Sequence, residues 1–353
     1  MSASASRAGV PAAPMTAPIA ASVSALVATV KGIPATASPR PRRSARWTSR
    51  LHVLLPAVAL ALLLAAVFYR QPRAMSYFGI DLLLNLAIPV MFATLAQTMM
   101  LAIGDLDLSI GPFVSLVACI GATLLPTQPV WGVLALGAAV AGYALAGALV
   151  EARQLPSIVV TLGLSFVWLG CAVLLLPTPG GTAPEWLQGA MGFHPPLVPL
   201  PIWMALVAGG IGYGLLTRSA FGALVRGIGG NPAAIARAGW NMVRVRAGVY
   251  AIAGLFGVCA GLMLVGQATS ADANIASRYT LVSIAAAILG GAQFSGGRVS
   301  PVGAVIGALT VTLAASFLTF LNIAPDWQIG MQGLILVAVL GLRSIIDRLG
   351  SSR

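Results

Sequence analysis

Leu101-Ala-Ile-Gly-Asp-Leu-Asp-Leu-Ser-Ile-Gly-Pro112 interrupts a chain that is otherwise made of long apolar runs. It holds Asp105 and Asp107, two of only eight acidic residues in 353, with Gly104, Gly111 and Pro112 around them. A carboxylate at the centre of a membrane-spanning helix costs roughly 2.5–3.5 kcal/mol. Glycine and proline break helices, which a bilayer tolerates only where protein or a water-filled cavity satisfies the freed backbone. The stretch therefore lies at a membrane edge or lines a polar path.

The flanking composition makes the membrane reading firm. The chain is 58% hydrophobic and 8% charged, with a mean hydropathy of +0.94, which leaves too little charge for a water-facing surface. Apolar runs near 20 residues match the ~30 Å hydrocarbon core as helices. The alternation of a spanning β-barrel is missing. The expected fold is thus an all-α integral membrane protein of about ten spans, at 53–69, 82–103, 110–125, 131–150, 158–176, 202–216, 247–267, 281–289, 302–321 and 327–346. Residues 1–46, rich in Ala, Ser, Pro and Arg, read as a disordered basic tail. Residues 47–346 form the transmembrane domain, and 347–353 a short tail.

The net charge of +12 sits in the tail and in loops, as topology determinants do, so it does not indicate nucleic-acid binding. With an N-terminus on the cytoplasmic side and ten spans, the cytoplasmic segments collect the basic tail, Arg153, the five arginines of 217–246, Arg298 and the C-terminal arginines. Only Arg70, Arg73 and Arg278 fall outside. Both termini are therefore expected in the cytoplasm. The single lysine, Lys31, stands in Val-Lys-Gly-Ile, so no Walker A nucleotide loop exists here. Cys119, Cys171 and Cys259 lie apart inside apolar runs and read as small core residues. His52 and His194 stand alone, and no catalytic, metal or cofactor set assembles.

Polar features inside the spans are the candidates for function. Asn85, Gln97, Thr161 and Ser165 each read as an interhelical hydrogen bond or as a path-lining group. Gly290-Gly-Ala-Gln-Phe-Ser-Gly-Gly-Arg298 reads as a tight re-entrant turn, parallel in layout to 101–112. In the polar loop 217–246, Asn231 is a good N-cap, Pro232 suits the first turn and Gly239 a terminus. This predicts a helix of one to two turns, either a connector or a docking element for a partner. Asp105 and Asp107, at the cytoplasmic end of the second span, are expected to reach water or arginine. Asp107 and Ser109 are expected to pin the backbone at the start of the third span. Gly104, Gly111 and Pro112 read as a hinge.

Four stretches, in order, resemble the permease subunits of bacterial sugar ABC importers of the ribose/galactose/xylose type. Leu106-Asp-Leu-Ser-Ile-Gly111 resembles their Ile-Asp-Leu-Ser-Val-Gly. Ser157-Ile-Val-Val-Thr-Leu-Gly163 resembles Pro-Phe-Ile-Val-Thr-Leu-Gly. Gly230-Asn-Pro-Ala-Ala-Ile-Ala-Arg-Ala-Gly239 resembles Gly-Asn-Pro-x-Ala-Ala-Arg-x-x-Gly. Ile284-Ala-Ala-Ala-Ile-Leu-Gly-Gly291 with Ser295-Gly-Gly297 resembles the paired-glycine segments. The departures are Asp105 in place of a second glycine, Ser157 in place of Phe, Ile235 inside the third motif, and Ser283 where an acid is common.

The resemblance implies a homodimeric ten-helix permease in the bacterial inner membrane. It implies a path for a monosaccharide delivered by a periplasmic binding protein, and ATP hydrolysed by a separate cytoplasmic subunit. That subunit would dock on Asn231, Pro232, Ala233, Ala234, Arg237 and Gly239. Path or hinge roles would fall to Asn85, Gln97, Asp105, Asp107, Ser109, Gly111, Thr161, Gly290 and Gly291. The alternatives are a related permease for branched-chain amino acids, nucleosides or other small polar solutes, and a proton-coupled secondary transporter that uses the two aspartates as its relay.

Overall fold

The computed structural model describes residues 44–321 and the isolated positions 327, 330, 333, 334 and 341. The tail at 1–43 and nearly all of the tenth expected span, 327–346, lie outside the described residues. The chain divides at Trp47/Thr48 into two units, and the second carries everything discussed below except the first turn of helix α1.

The described residues form thirteen α-helices: α1 (Ser44–Arg70), α2 (Tyr77–Leu84), α3 (Ala87–Ala102), α4 (Ile110–Thr127), α5 (Pro129–Arg153), α6 (Ser157–Leu175), α7 (Glu185–Met191), α8 (Leu200–Tyr213), α9 (Ala220–Gly230), α10 (Pro232–Arg237), α11 (Met242–Ala268), α12 (Tyr279–Leu289) and α13 (Pro301–Phe320). Six are long and apolar enough to cross a bilayer, α8 together with the π-turn that extends it to Arg218. A seventh results if α2 and α3 are one span bent by 42°.

That bend has a local cause. Pro89 lacks the N–H that would bond to the carbonyl four residues earlier, at Asn85. Gln267 fills the place: its Nε2 donates to the Asn85 carbonyl and to Asn85 Oδ1, both at 3.0 Å. The expected second span, 82–103, is therefore two helices hinged on Asn85.

Three further segments differ from the sequence reading. The stretch 217–246, read as a polar loop with one short helix, holds two helices and the start of α11. The unforeseen one, α9, is amphipathic and buries Val225 and Ile228, with Ser219 as N-cap accepting from Gly222 N at 2.9 Å. The long loop after α6 contains α7, which buries Leu187. Helix α12, the eighth expected span, has only 11 residues, roughly 16 Å of rise and about half the hydrocarbon thickness.

Helix α11 is the axis of the core. Gly254, Gly257 and Gly261 recur at helical spacing. A Cβ on them would stand 3.3 Å from Tyr143, 2.7 Å from Phe113 and 2.5 Å from Val117 respectively. Small residues thus let α11 lie directly against α4 and α5, the way helices associate where burying apolar surface gives no advantage over lipid. Gly137 on α5, in contrast, faces open space. Helices α5 and α6 expose most of their apolar length, including Leu145, Leu149, Leu162 and Phe166.

Candidate functional site

The Gly104 break begins with a helix stop. Asp105 N donates to Met100 O at 3.0 Å and Gly104 N to Leu101 O at 3.1 Å, the paired bonds of a Schellman end, with Gly104 at φ +82°. Helix α12 ends the same way: Ala292 N bonds Ala287 O and Gly291 N bonds Ile288 O, both at 3.0 Å, with Gly291 at φ +110°. The two breaks touch, since Gly297 N donates to Ala102 O at 2.9 Å. Helix α9 completes the junction, because a Cβ on Gly229 would overlap both Ala102 O and Gly297 N. Gly290 packs backbone to backbone on Gly303 at the start of α13.

From Gly104 the chain turns inward. Asp105 is 5% exposed and takes Arg246 of α11 in a bidentate pair, Nη2 to Oδ1 at 2.8 Å and Nε to Oδ2 at 2.9 Å. Tyr250 OH adds a bond to Oδ2 at 3.0 Å. The other arm of Arg246 holds Glu151 near the C-terminus of α5. One guanidinium thus joins the 103–109 break, α5 and α11, and its planar fork suits two carboxylates.

Asp107 departs from expectation. It reaches neither water nor arginine, being fully buried, and hydroxyls satisfy it instead. Oδ1 accepts from Ser109 N and Ser109 Oγ at 2.7 Å each. Oδ2 accepts from Tyr143 OH at 2.7 Å, which also meets Ser109 Oγ at 2.9 Å. The expected pinning of the backbone by Asp107 is present. The Ser109 hydroxyl, in contrast, gives its proton to Asp107 and makes no cap to α4. Tyr143 sits about two turns before Glu151 on α5, so the segment from Asp105 to Ser109 runs inward along that helix.

Other candidates hold this segment in place. Thr161 Oγ1 accepts from Leu108 N and donates toward Leu106 O, both at 3.2 Å, while also bonding its own helix at Ser157 O. Ser157 Oγ accepts from Leu106 N at 3.4 Å. The Gln97 amide, oriented so that both ends are satisfied, brackets the Asp107 peptide at 3.1 and 3.3 Å. Gly111 N donates to Thr280 Oγ1 at 3.0 Å; any Cβ there would stand 2.6 Å from that oxygen and 2.8 Å from Ala276 O. The starts of α4 and α12 therefore meet inside the bundle. Tyr143 and Trp168 stack beside the knot and Phe113 meets both edge-on. Asn85 lies apart, at the other end of α3, on Gln267.

Sequence reading missed Arg246, Glu151, Tyr250, Tyr143 and Thr280. Ser157 carried a signal, as a polar departure in an apolar motif. The others carried none, because nothing local marks their partners.

On the face that carries the Gly104–Gly229–Gly297 junction, α10 forms as expected. Asn231 Oδ1 accepts from Ala234 N at 3.0 Å, Pro232 opens the helix, and Gly239 ends it at φ +87°. Pro232, Ala233 and Arg237 are exposed, Ala234 half-buried. Ile235 packs back against α9 at Gly227, so the departure inside this motif is the anchor of the helix. Asn241 then caps α11 through Arg244 N at 3.1 Å.

A family described as the branched-chain amino acid transport system / permease component matches residues 79–340. The chain is 28% identical over 298 residues to the ribose import permease protein of Escherichia coli (strain K12), covering 80% of this chain and 91% of that protein. It is 26% identical over 311 residues to the galactose/methyl galactoside import permease protein of the same organism, covering 82% and 93%. It is 30% identical over 292 residues to a probable ABC transporter permease protein, again of Escherichia coli, covering 80% and 86%. No solved structure matches the chain.

Proposed function

The chain belongs to the family of branched-chain amino acid transport system permease components, and from that premise we propose that it is the membrane subunit of an ATP-binding cassette importer for a monosaccharide, ribose-like in size. Relatives named for ribose and galactose import, covered over nine-tenths of their length, favour sugar over amino acid within the family. In this reading the protein spans the bacterial inner membrane ten times, with both termini in the cytoplasm, and works as a homodimer. ATP is hydrolysed by a separate cytoplasmic subunit, and a periplasmic binding protein delivers the solute.

The observation that carries the mechanism is the route from α10 to the buried aspartates. Helix α10 is short, capped at both ends and exposed on the side away from Ile235, as a docking lever requires. Asn231, Pro232, Ala233, Ala234, Arg237 and Gly239 make up its surface and ends. It rests on α9, whose Gly229 touches both glycine breaks, and it leads through Asn241 into α11, whose Arg246 grips Asp105. A push on α10 is thereby delivered to the loops that begin α4 and α13. Alternating access needs such a rigid link between the ATPase and the path. Gly111, Gly290 and Gly291 serve as the hinge, and Gln97, Asp107, Ser109 and Thr161 hold its geometry.

Against the proton-coupled alternative, Asp105 is committed to Arg246, and both oxygens of Asp107 are occupied by hydroxyl donors. The test is uptake of labelled ribose and galactose into proteoliposomes. We expect uptake only with the ATPase partner, the binding protein and ATP present. Full uptake driven by a pH gradient without them refutes the reading.

A further inference from the structure

Asn85 stands where two apolar clusters meet. Leu83 and Leu84 of α2 pack with Val67 of α1, Ala74 of the preceding turn and Leu313 of α13. From Ile88 onward, α3 belongs to the main core with α4, α5 and α11. The break at Asn85 is thus a seam in the packing as well as a bend in the chain. Helix α2 has polar ties of its own to the stretch before α8. Tyr77 OH donates to Pro195 O at 2.7 Å, and Asp81 Oδ2 stands 3.8 Å from His194 Nε2. The opposite side is bare: Phe78, Leu82 and Leu86, four apart, are exposed. A short helix held this way can tilt about its end with little of the core to repack.

Gln267 bridges the seam. It lies near the end of α11 and spends both amide protons on Asn85, one on the carbonyl and one on Oδ1. That carbonyl also accepts from Ile88 N at 3.0 Å, so the Gln267 bond falls on the turn itself. The Gln267 Oε1 is buried without a partner among the described residues, and the hydrogen bonding of this side chain therefore goes to the hinge. Apolar contact alone is non-directional and leaves α2 free to rock; two directed bonds fix its angle to α11.

Helix α11 also carries Arg246, near its start and roughly 31 Å from Gln267 along the axis, about the depth of the hydrocarbon core. It contains no proline, and its Gly254, Gly257 and Gly261 are packed by Tyr143, Phe113 and Val117. With nothing to kink it, the helix moves as one rod. We propose that Gln267 is a positioning residue that pins the Asn85 break to α11, so that a shift of α11 at Arg246 is passed across the membrane to the tilt of α2. Helix α2, with His194 and Pro195 tied to it, is then a moving flap at the end of the path away from α10. The proposal rests on the permease reading and gives its linkage a far end.

The test uses the full chain in lipid nanodiscs, with Cys119, Cys171 and Cys259 replaced by alanine and spin labels on Phe78→Cys and Leu145→Cys. Excess unlabelled chain ensures that only distances within one chain are read. Leu145→Cys with Leu255→Cys, both exposed on core helices, is the control pair. The expected result is one narrow Phe78–Leu145 distance with Gln267 and a broad distribution with Gln267→Leu, while the control pair keeps its distance in both. In the importer assembled with its ATPase subunit and binding protein, ATP shifts the Phe78–Leu145 distance when Gln267 is present and not when it is leucine. Uptake then falls about tenfold with ATPase binding unchanged. A distance that Gln267→Leu leaves narrow, equal broadening in the control pair, or an ATP-driven shift that survives the substitution overturns the proposal. The first arm needs no ATPase, so failure of wild-type uptake would strike the permease reading separately.

Discussion

Arg246→Met tests the three-way junction most directly. Arg246 lies between Asp105 and Glu151, with side-chain exposures of 21%, 6% and 14%. These are low enough that solvent screening removes little of the interaction. Removing the cation leaves two carboxylates facing each other with only Tyr250 OH to help Asp105. Breaking a buried pair from one side costs about 3–5 kcal/mol. Asp105→Asn is milder, because Arg246 keeps Glu151 and the amide keeps an acceptor for Tyr250; the loss is about 1.5–3 kcal/mol, that of a charge-assisted bond. The two changes share one interaction, so the double variant should be more stable than the sum of the singles by about 0.5–3 kcal/mol. Arg244, exposed two positions earlier, is the control, and its Met variant should stay within about 0.5 kcal/mol of wild type. The assay is reversible unfolding in mixed micelles titrated with dodecyl sulfate, followed by circular dichroism. An Arg246→Met variant as stable as the Arg244 control, or strictly additive singles, would refute the three-way junction.

Three further outcomes are expected. Tyr143→Phe removes the donor to Asp107 Oδ2 and leaves a buried carboxylate oxygen short of a partner, for a loss of about 1–3 kcal/mol in the same unfolding assay. Gly303→Ala forces a side chain into the Gly290 backbone and should abolish the folded, monodisperse protein on size-exclusion chromatography; Gly137→Ala has open space and should be neutral or stabilising by up to about 1 kcal/mol through helix propensity. Replacing Asn231–Ala238 by a flexible Gly/Ser segment should leave thermal stability nearly unchanged while ATP hydrolysis by the assembled complex no longer drives uptake, and intact coupling would make α10 a mere connector.

Apolar run length, local caps and helix stops were legible along the chain because each depends on neighbours within a few residues. The Asn231 cap and the Gly239 terminus appear where the side chains require them. Helix α9 escaped notice because Arg226 and four glycines dilute its apolar face, which is only four positions wide. The nine apolar residues at 281–289 count as a crossing only because the alternation of the chain needs one there; helix α12 is too short to cross by itself.

Composition and run length place this chain in a membrane, mark roughly where it crosses, and make Leu101–Pro112 a polar break. The family motifs added an expectation of the task. Tertiary structure alone decided what protects the break. Asp105 meets Arg246 across 141 residues and Asp107 meets Tyr143 across 36. No pattern in the chain specifies those partners, because a buried charge states only that it needs one; packing α11 against α5 through glycine-sized gaps determines which one arrives.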